Sequence, residues 1–360
     1  MSISRRVREF CDHFDLRSPI MLAPMAGVTP PELSIAVVNA GGMGSCGVLL
    51  LTPEEITQWA ATVRGGSGNR FQLNNWVPDP APTRDREKER AVAAFLRAWG
   101  PAVSDDAGDA TRIDFDAQCD AMLAARPAVV SSVMGLFPHT YVERLRRAGI
   151  AWFAVVSTVG EATSAEAAGA DALIAQGMEA GGHRASFNPE TAERDLVGLV
   201  ALIPAVVDSV SIPVIATGGI ADGRGAAAAF ALGASAVQIG SGFLRCPEAR
   251  INAAWAEALG RAAPEDTVIT RAYTGRAARA VANHYVRSAS DLGSPVPAPY
   301  PVQRGMTAGM RAEAASVSDI NRMQAWAGQS AGLSRKDPAA AVVARVWSEA
   351  RAILGSDGLR

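Results

Sequence analysis

A chain of 360 residues, 49% hydrophobic and 19% charged, has material for a large core and too few charges for extended disorder. Its formal charge of −2, with no basic cluster interleaved with aromatics, offers no field for nucleic acid or an anionic membrane and points to a small-molecule partner. Cys11, Cys46, Cys119 and Cys246 form no CxxC pair and no histidine-flanked set, which excludes a disulfide framework and predicts no metal site.

The N-terminal MSISRRVREFCDHF carries charges where a signal peptide needs an apolar stretch, and no apolar run reaches about 18 residues, so a cytoplasmic location is expected. Arg5 to Phe14 reads as an amphipathic helix able to plug the bottom of a barrel. Strands follow at Pro19 to Met25, Met43 to Leu49, Phe71 to Trp76, Ala128 to Met134, Trp152 to Thr158, Ala172 to Gly177, Pro213 to Gly218 and Ala236 to Ser241. Between them lie helices. Pro31 opens one, Thr52-Pro53-Glu54-Glu55 caps another, and others cover Thr140 to Ala148, Ser164 to Ala168, Asp195 to Ser209 and Gly225 to Leu232.

Eight βα repeats predict an α/β fold, a (β/α)8 TIM barrel. A doubly wound open sheet would need a glycine-rich fingerprint after the first strand, and no GxGxxG occurs there. Two stretches break the rhythm. Residues 77–127 form a long insertion whose charge run, Arg84 to Arg90, reads as a solvated helix face. Residues 266–330 are too long for one closing helix; Thr270 to Ser288 is expected to be helical and Leu292 to Pro301 an irregular arm. The division expected is therefore a barrel of 1–265 and 331–360, with 266–330 as a cap on the substrate side.

The active site of such a barrel gathers at the C-terminal ends of the strands, with a phosphate commonly after the seventh and eighth. Here those ends read Thr217-Gly218-Gly219-Ile220 and Gln238-Ile239-Gly240-Ser241-Gly242. Both offer bare N–H groups at a helix start, an anion site for a phosphorylated cofactor. Pro24-Met25-Ala26-Gly27, Gln72, Asn74 and Gln176 supply the apolar faces and amides that an isoalloxazine ring requires. After the sixth strand comes QGMEAGGHRASF, where Gly177, Gly181 and Gly182 suggest a loop moulded around a bound ligand. His183 would face that ligand as a base working near neutral pH.

With these residues in place, the chain resembles the nitronate monooxygenase (2-nitropropane dioxygenase) family of FMN-dependent barrel enzymes. The resemblance rests on APMAGVT at 23–29, FQLNNW at 71–76, QGMEAGGHR at 176–184, PVIATGGI at 213–220 and VQIGSGFLRCPEA at 237–249. YTGRAAR at 273–279, YPVQ at 300–303 and QAWAGQ at 324–329 extend it. It implies FMN held by Asn74, Gln176, Gly181, Gly219 and Gln238 to Ser241, with Pro24 to Gly27 against the ring. His183 would be the catalytic base, in an O2-dependent conversion of nitronates to a carbonyl compound and nitrite.

In the branch acting on propionate 3-nitronate the arm carries Tyr, Tyr and Lys at four-residue spacing, whereas here Tyr300 is followed by Arg304 and Ala308. Tyr300, Arg304 and Met134 are thus the candidate substrate residues, Arg304 as a carboxylate clamp. The EAGGH segment also resembles that of FMN-dependent enoyl-ACP reductases, although the long arm with YPVQ and QAWAGQ favours the nitronate branch, and NAD(P)H:quinone reduction is a further possibility on the same scaffold. A flavin-binding module without turnover would have no need of a base beside the ring. No heptad seam is present, so a monomer or homodimer is expected.

Overall fold

The structure is a computed structural model that describes residues 2–109 and 113–355. Eight short parallel strands, β1 (Ile20–Leu22), β2 (Gly44–Gly47), β3 (Phe71–Trp76), β4 (Val129–Val133), β5 (Ala151–Val156), β6 (Ala172–Gln176), β8 (Val214–Thr217) and β9 (Ala236–Ile239), pair in the order β1-β9-β8-β6-β5-β4-β3-β2. A parallel bridge between Met21 and Met43 joins the first strand to the second and closes the barrel, the (β/α)8 architecture expected from the eight repeats. The strands are buried almost throughout, because a parallel barrel covers both faces and asks for continuous apolar runs.

Local chemistry sets the helices between the strands. Thr52 and Glu55 form a reciprocal capping box at the start of the helix Pro53–Ser67, satisfying two N–H groups that the helix cannot pair itself. The N-terminal helix Ile3–His13 buries Val7, Phe10 and Cys11, and Phe14 beyond its end sets its ring edge-on to Phe153 of β5 at 5.2 Å. The last helix, Ala339–Leu354, returns against the helix Gly223–Ala231, where Glu349 accepts a hydrogen bond from Gly223 N at 3.0 Å. No helix among the described residues is long and apolar enough to cross a membrane.

The stretch Thr270 to Ser288 departs from the helix expected of it. It supplies β10 (Thr267–Thr270), a tight turn, β11 (Ala278–Val281) and only a short helix, His284–Ser288. The alanines and tyrosines there fit a helix, but β11 has an edge to complete. It pairs antiparallel with β10 on one side and with β7 (Gly182–His183) on the other, a small sheet in the order β10-β11-β7. Tertiary pairing thereby overrides local preference.

The charge run Arg84 to Arg90 is for the most part the solvated face expected, and Glu89 is its exception. Glu89 is only 7% exposed and is gripped by both Arg84 Nε and Nη2, at 2.6 and 2.7 Å. The same face of that helix, Arg86–Leu96, carries Val92 and Leu96 into a second apolar cluster with Tyr273, Tyr285, Val302 and Met310. The 77–127 insertion and the 266–330 segment therefore share one core.

Candidate active site

His183 is held by its backbone before its ring is considered. Its two-residue strand pairs with β11, His183 opposite Ala278, and Arg184 N donates to Ala277 O at 2.9 Å. From the other side Gln176, at the end of β6, donates from Nε2 to His183 O at 3.1 Å. Its Oε1 accepts from Arg184 Nη1 at 2.8 Å and from Ala185 N at 2.9 Å. Arg184 is 1% exposed and also donates to Gly177 O. The expected ring-binding amide of Gln176 is thus spent largely on clamping the loop, with one N–H left over.

The loop glycines divide in the same way. A Cβ at Gly181 would run into Gly328 N, and one at Gly177 into Glu179 and Leu199, so these two admit protein rather than a ligand. Gly182 alone of the three has a positive φ, 75°, and open space beside it. It is the glycine that gives the loop its conformation.

The ring of His183 sits among aromatics. Trp76, the last residue of β3, meets it edge-on at 4.6 Å, Trp326 does so at 5.0 Å, and Tyr300 lies 5.5 Å from Trp76. Nε2 is 2.9 Å from Thr274 Oγ1 in the turn before β11. Burial, and then the positive charges of Arg276, Arg304 and Arg311, push the imidazole down to about 3, so it is neutral at pH 7. Arg276 is itself neutralised by an ion pair with Asp79. Arg304 and Arg311 have no carboxylate partner among the described residues; Arg311 is steadied instead by Thr307 Oγ1, Gln324 Oε1 and Arg304 O.

Beneath this lies a hydrogen-bonded chain of amides inside the barrel. Asn74 Nδ2 donates to Ser131 Oγ at 2.9 Å, Ser131 Oγ to Gln72 Oε1 at 3.2 Å, and Gln72 Nε2 to Gln238 Oε1 at 2.7 Å. The chain fixes which way each amide faces. It leaves an acceptor, Asn74 Oδ1, at one end and a donor, Gln238 Nε2, at the other, without protein partners among the described residues. A flavin's pyrimidine edge, with its N–H between two carbonyls, calls for such a mixed pair.

The glycine-rich strand ends hold the open donors that a phosphate requires. No backbone carbonyl of the described residues accepts from the N–H of Gly218, Gly219, Ser241 or Gly242. The helix after β8 is a different matter: Asp222 caps it, its carboxylate accepting from Arg224 N and Gly225 N at 3.1 Å each, so the anion site there is the loop and not the helix start. After β9 only a short turn, Ser241–Phe243, follows Ile239 and Gly240, and Ser241 Oγ accepts from Gly328 N at 2.9 Å. Pro24, Met25 and Ala26 are half-buried and Gly27 exposed after β1. Met134 is 4% exposed, packed in the barrel core, with φ of 70°.

His183, Tyr300 and Arg304 are thus brought together, and Trp76, Trp326, Thr274, Arg276 and Arg311 join them. These five were not foreseen as site residues. Trp76 ends a barrel strand, where side chains face the site; Thr274, Arg276 and Trp326 lie inside motifs already noted, but nothing in the sequence shows that β11 carries them to His183.

Known proteins resemble the chain over nearly its whole length. The family model for nitronate monooxygenase matches residues 9–349. A nitronate monooxygenase of Paraburkholderia phytofirmans is 38% identical over 338 residues, 92% of each chain, and a probable nitronate monooxygenase of Staphylococcus aureus is 33% identical over 93% of this chain and 95% of its own. Among solved structures, a nitroalkane oxidase from Streptomyces ansochromogenes is similar with a TM-score of 0.86 and 35% identity, covering 95% of this chain and 99% of that one. FabK from Thermotoga maritima is similar with a TM-score of 0.75 and 29% identity over 96% of both chains.

Proposed function

Because the chain belongs to the nitronate monooxygenase family, a flavin-dependent group of oxidoreductases, we propose that it uses FMN and O2 to convert alkyl nitronates to a carbonyl compound and nitrite. Nitroalkanes, once deprotonated, enter the same reaction. The observation that carries this reading is the His183 ring set between Trp76 and Trp326, in a barrel whose strand-end loops hold open phosphate donors.

The N–H groups of Gly218, Gly219, Gly240 and Ser241 would hold the phosphate. Asn74 and Gln238 would meet the pyrimidine edge, and Pro24, Met25, Ala26 and Gly27 the ring face, with Ile239 packed behind and the spare N–H of Gln176 nearby. Gly182 would let the loop pass close by, while Gly181 seats it against Gly328. When bound, FMN supplies electron transfer between nitronate and oxygen. The chain's own residues do the rest. His183 takes the proton from the carbon beside the nitro group, or orients a nitronate already ionised. Trp76, Trp326 and Tyr300 exclude water, keeping the imidazole neutral and the carbanion from being quenched. Arg304 and Arg311 draw the anion in, Arg304 clamping a substrate carboxylate where one is present. Met134, packed in the barrel core, would back the pocket and not touch substrate, and residues 266–330 would form the cap above the ring.

The test is aerobic turnover of ethyl nitronate and of nitroethane. Nitrite and acetaldehyde with oxygen uptake are expected from both, and His183→Ala should lose nitroethane turnover by about 10²-fold or more while keeping its yellow cofactor. No nitrite from either substrate would contradict the reading. The likeness to FabK lends some support to the alternative, flavin-dependent reduction of an enoyl thioester by a nicotinamide nucleotide, and with it to quinone reduction on the same scaffold.

A further inference from the structure

We infer that Thr274 is the positioning residue of the catalytic base: its hydroxyl fixes His183 as the Nε2–H tautomer, so that the lone pair which takes the substrate proton resides on Nδ1. The inference rests on the functional reading above for its kinetic meaning. For the tautomer itself it rests only on hydrogen-bond accounting.

Thr274 is 2% exposed, so its hydroxyl has no water to turn to. Three groups surround Oγ1: His183 Nε2 at 2.9 Å, the carbonyl of Arg276 at 3.2 Å and the N–H of Arg276 at 3.4 Å. A hydroxyl has one proton to give and two lone pairs to fill. The Arg276 N–H can only donate, and the Arg276 carbonyl can only accept. That carbonyl belongs to a residue 1% exposed and has no other donor among the described residues, so it needs the threonine proton. The remaining lone pair of Oγ1 then accepts from His183, which places the imidazole proton on Nε2.

The opposite tautomer is worse by one buried hydrogen bond. It would turn the threonine proton to Nε2, strip the Arg276 carbonyl of its donor, and put a proton on Nδ1, which no acceptor among the described residues reaches. The threonine cannot swing away to relieve this. Gly275, next in the chain, has φ of 85° and is packed against Ala298 and Tyr300, which locks the turn. The arrangement repeats a general logic of activated bases, in which one ring nitrogen is tied to an orienting group and the other is left for the reaction. On proton abstraction the new N–H forms at Nδ1 while Nε2–H stays on Thr274; the electron pair of the broken C–H bond passes into the nitronate.

The experiment uses the FMN-loaded protein labelled with 15N-histidine. Long-range 1H–15N correlation separates the two tautomers, and His183→Gln identifies the signal among the four histidines. Nε2–H is expected in the wild type and in Thr274→Ser, with a shift toward Nδ1–H in Thr274→Val. Nδ1–H in the wild type, or an unchanged tautomer in Thr274→Val, would overturn the inference. Should Thr274→Val fail to fold, the wild type and the serine variant decide it alone. Kinetically, Thr274→Val should slow nitroethane more than ethyl nitronate by at least about tenfold, short of the ~10² that a positioned base contributes as a whole; equal losses on both would contradict a role in proton abstraction. If the wild type releases nitrite from neither substrate, the functional reading fails, and the tautomer spectrum still judges the placement of the proton.

Discussion

An imidazole whose folded value lies at about 3 rather than the ~6.5 of a free histidine binds no proton in a pH range where the unfolded chain would bind one. The stability contributed by neutral His183 is therefore fully present above about pH 6.5 and is lost as the pH falls toward 3. For turnover the same sign predicts that kcat/KM for a nitroalkane has no acid limb from His183 between about pH 5 and 8. A pH profile checks this; a limb near 6.5 would mean that the arginines and the aromatic walls do not keep the ring neutral. The place of His183 at a strand end was legible in the sequence, because one histidine stands there among glycines. The role of Gln176 was not, nor that of Gly181, because a loop moulded on a ligand and a loop moulded on neighbouring backbone have the same composition. Gly328, which occupies the space beside Gly181, lies 147 positions away in the chain.

At the level of elements, the barrel strands were legible because each is an apolar run between a helix stop and a glycine-rich end. The small sheet β10-β11-β7 was not: β7 is two residues long, and β11 exists by virtue of its neighbours. Its position depends on the turn at Gly275, which has both a positive φ and no room for a Cβ beside Ala298. Gly275→Ala should cost more than about 1 kcal/mol. Hydrogen exchange should show the loss confined to 267–281 and the cap while β3 to β6 keep their protection, and nitroalkane turnover should fall with it. Uniform protection with undiminished activity would show that the turn is not what carries Thr274 to His183.

Over the whole molecule, residues 266–330 are tied to the stretch after β3 by a buried charge pair. Arg276, 1% exposed, meets Asp79, which follows β3, and donates its other arm to Ser186 O beyond the histidine loop. Composition revealed neither partner, since a lone Asp in a proline-rich insertion looks like a turn residue. Asp79→Asn would leave a buried guanidinium unpaired and should destabilise the protein by about 3 kcal/mol in urea unfolding, the lower end for one partner lost from such a pair; a change under about 1 kcal/mol would show that water or another group compensates. The insertion helix and residues 266–330 also share one apolar core, to which Trp326 of the His183 pocket is packed. The central claim is that this enclosed pocket passes electrons from a nitronate, and not from a nicotinamide, to the bound flavin. Anaerobic mixing of the yellow protein with ethyl nitronate, and separately with NADH and NADPH, tests it most directly. The account predicts prompt loss of the flavin's visible absorbance with the nitronate and little change with either nucleotide; rapid bleaching by a nucleotide and no response to nitronate would contradict it and assign the chain to the reductases.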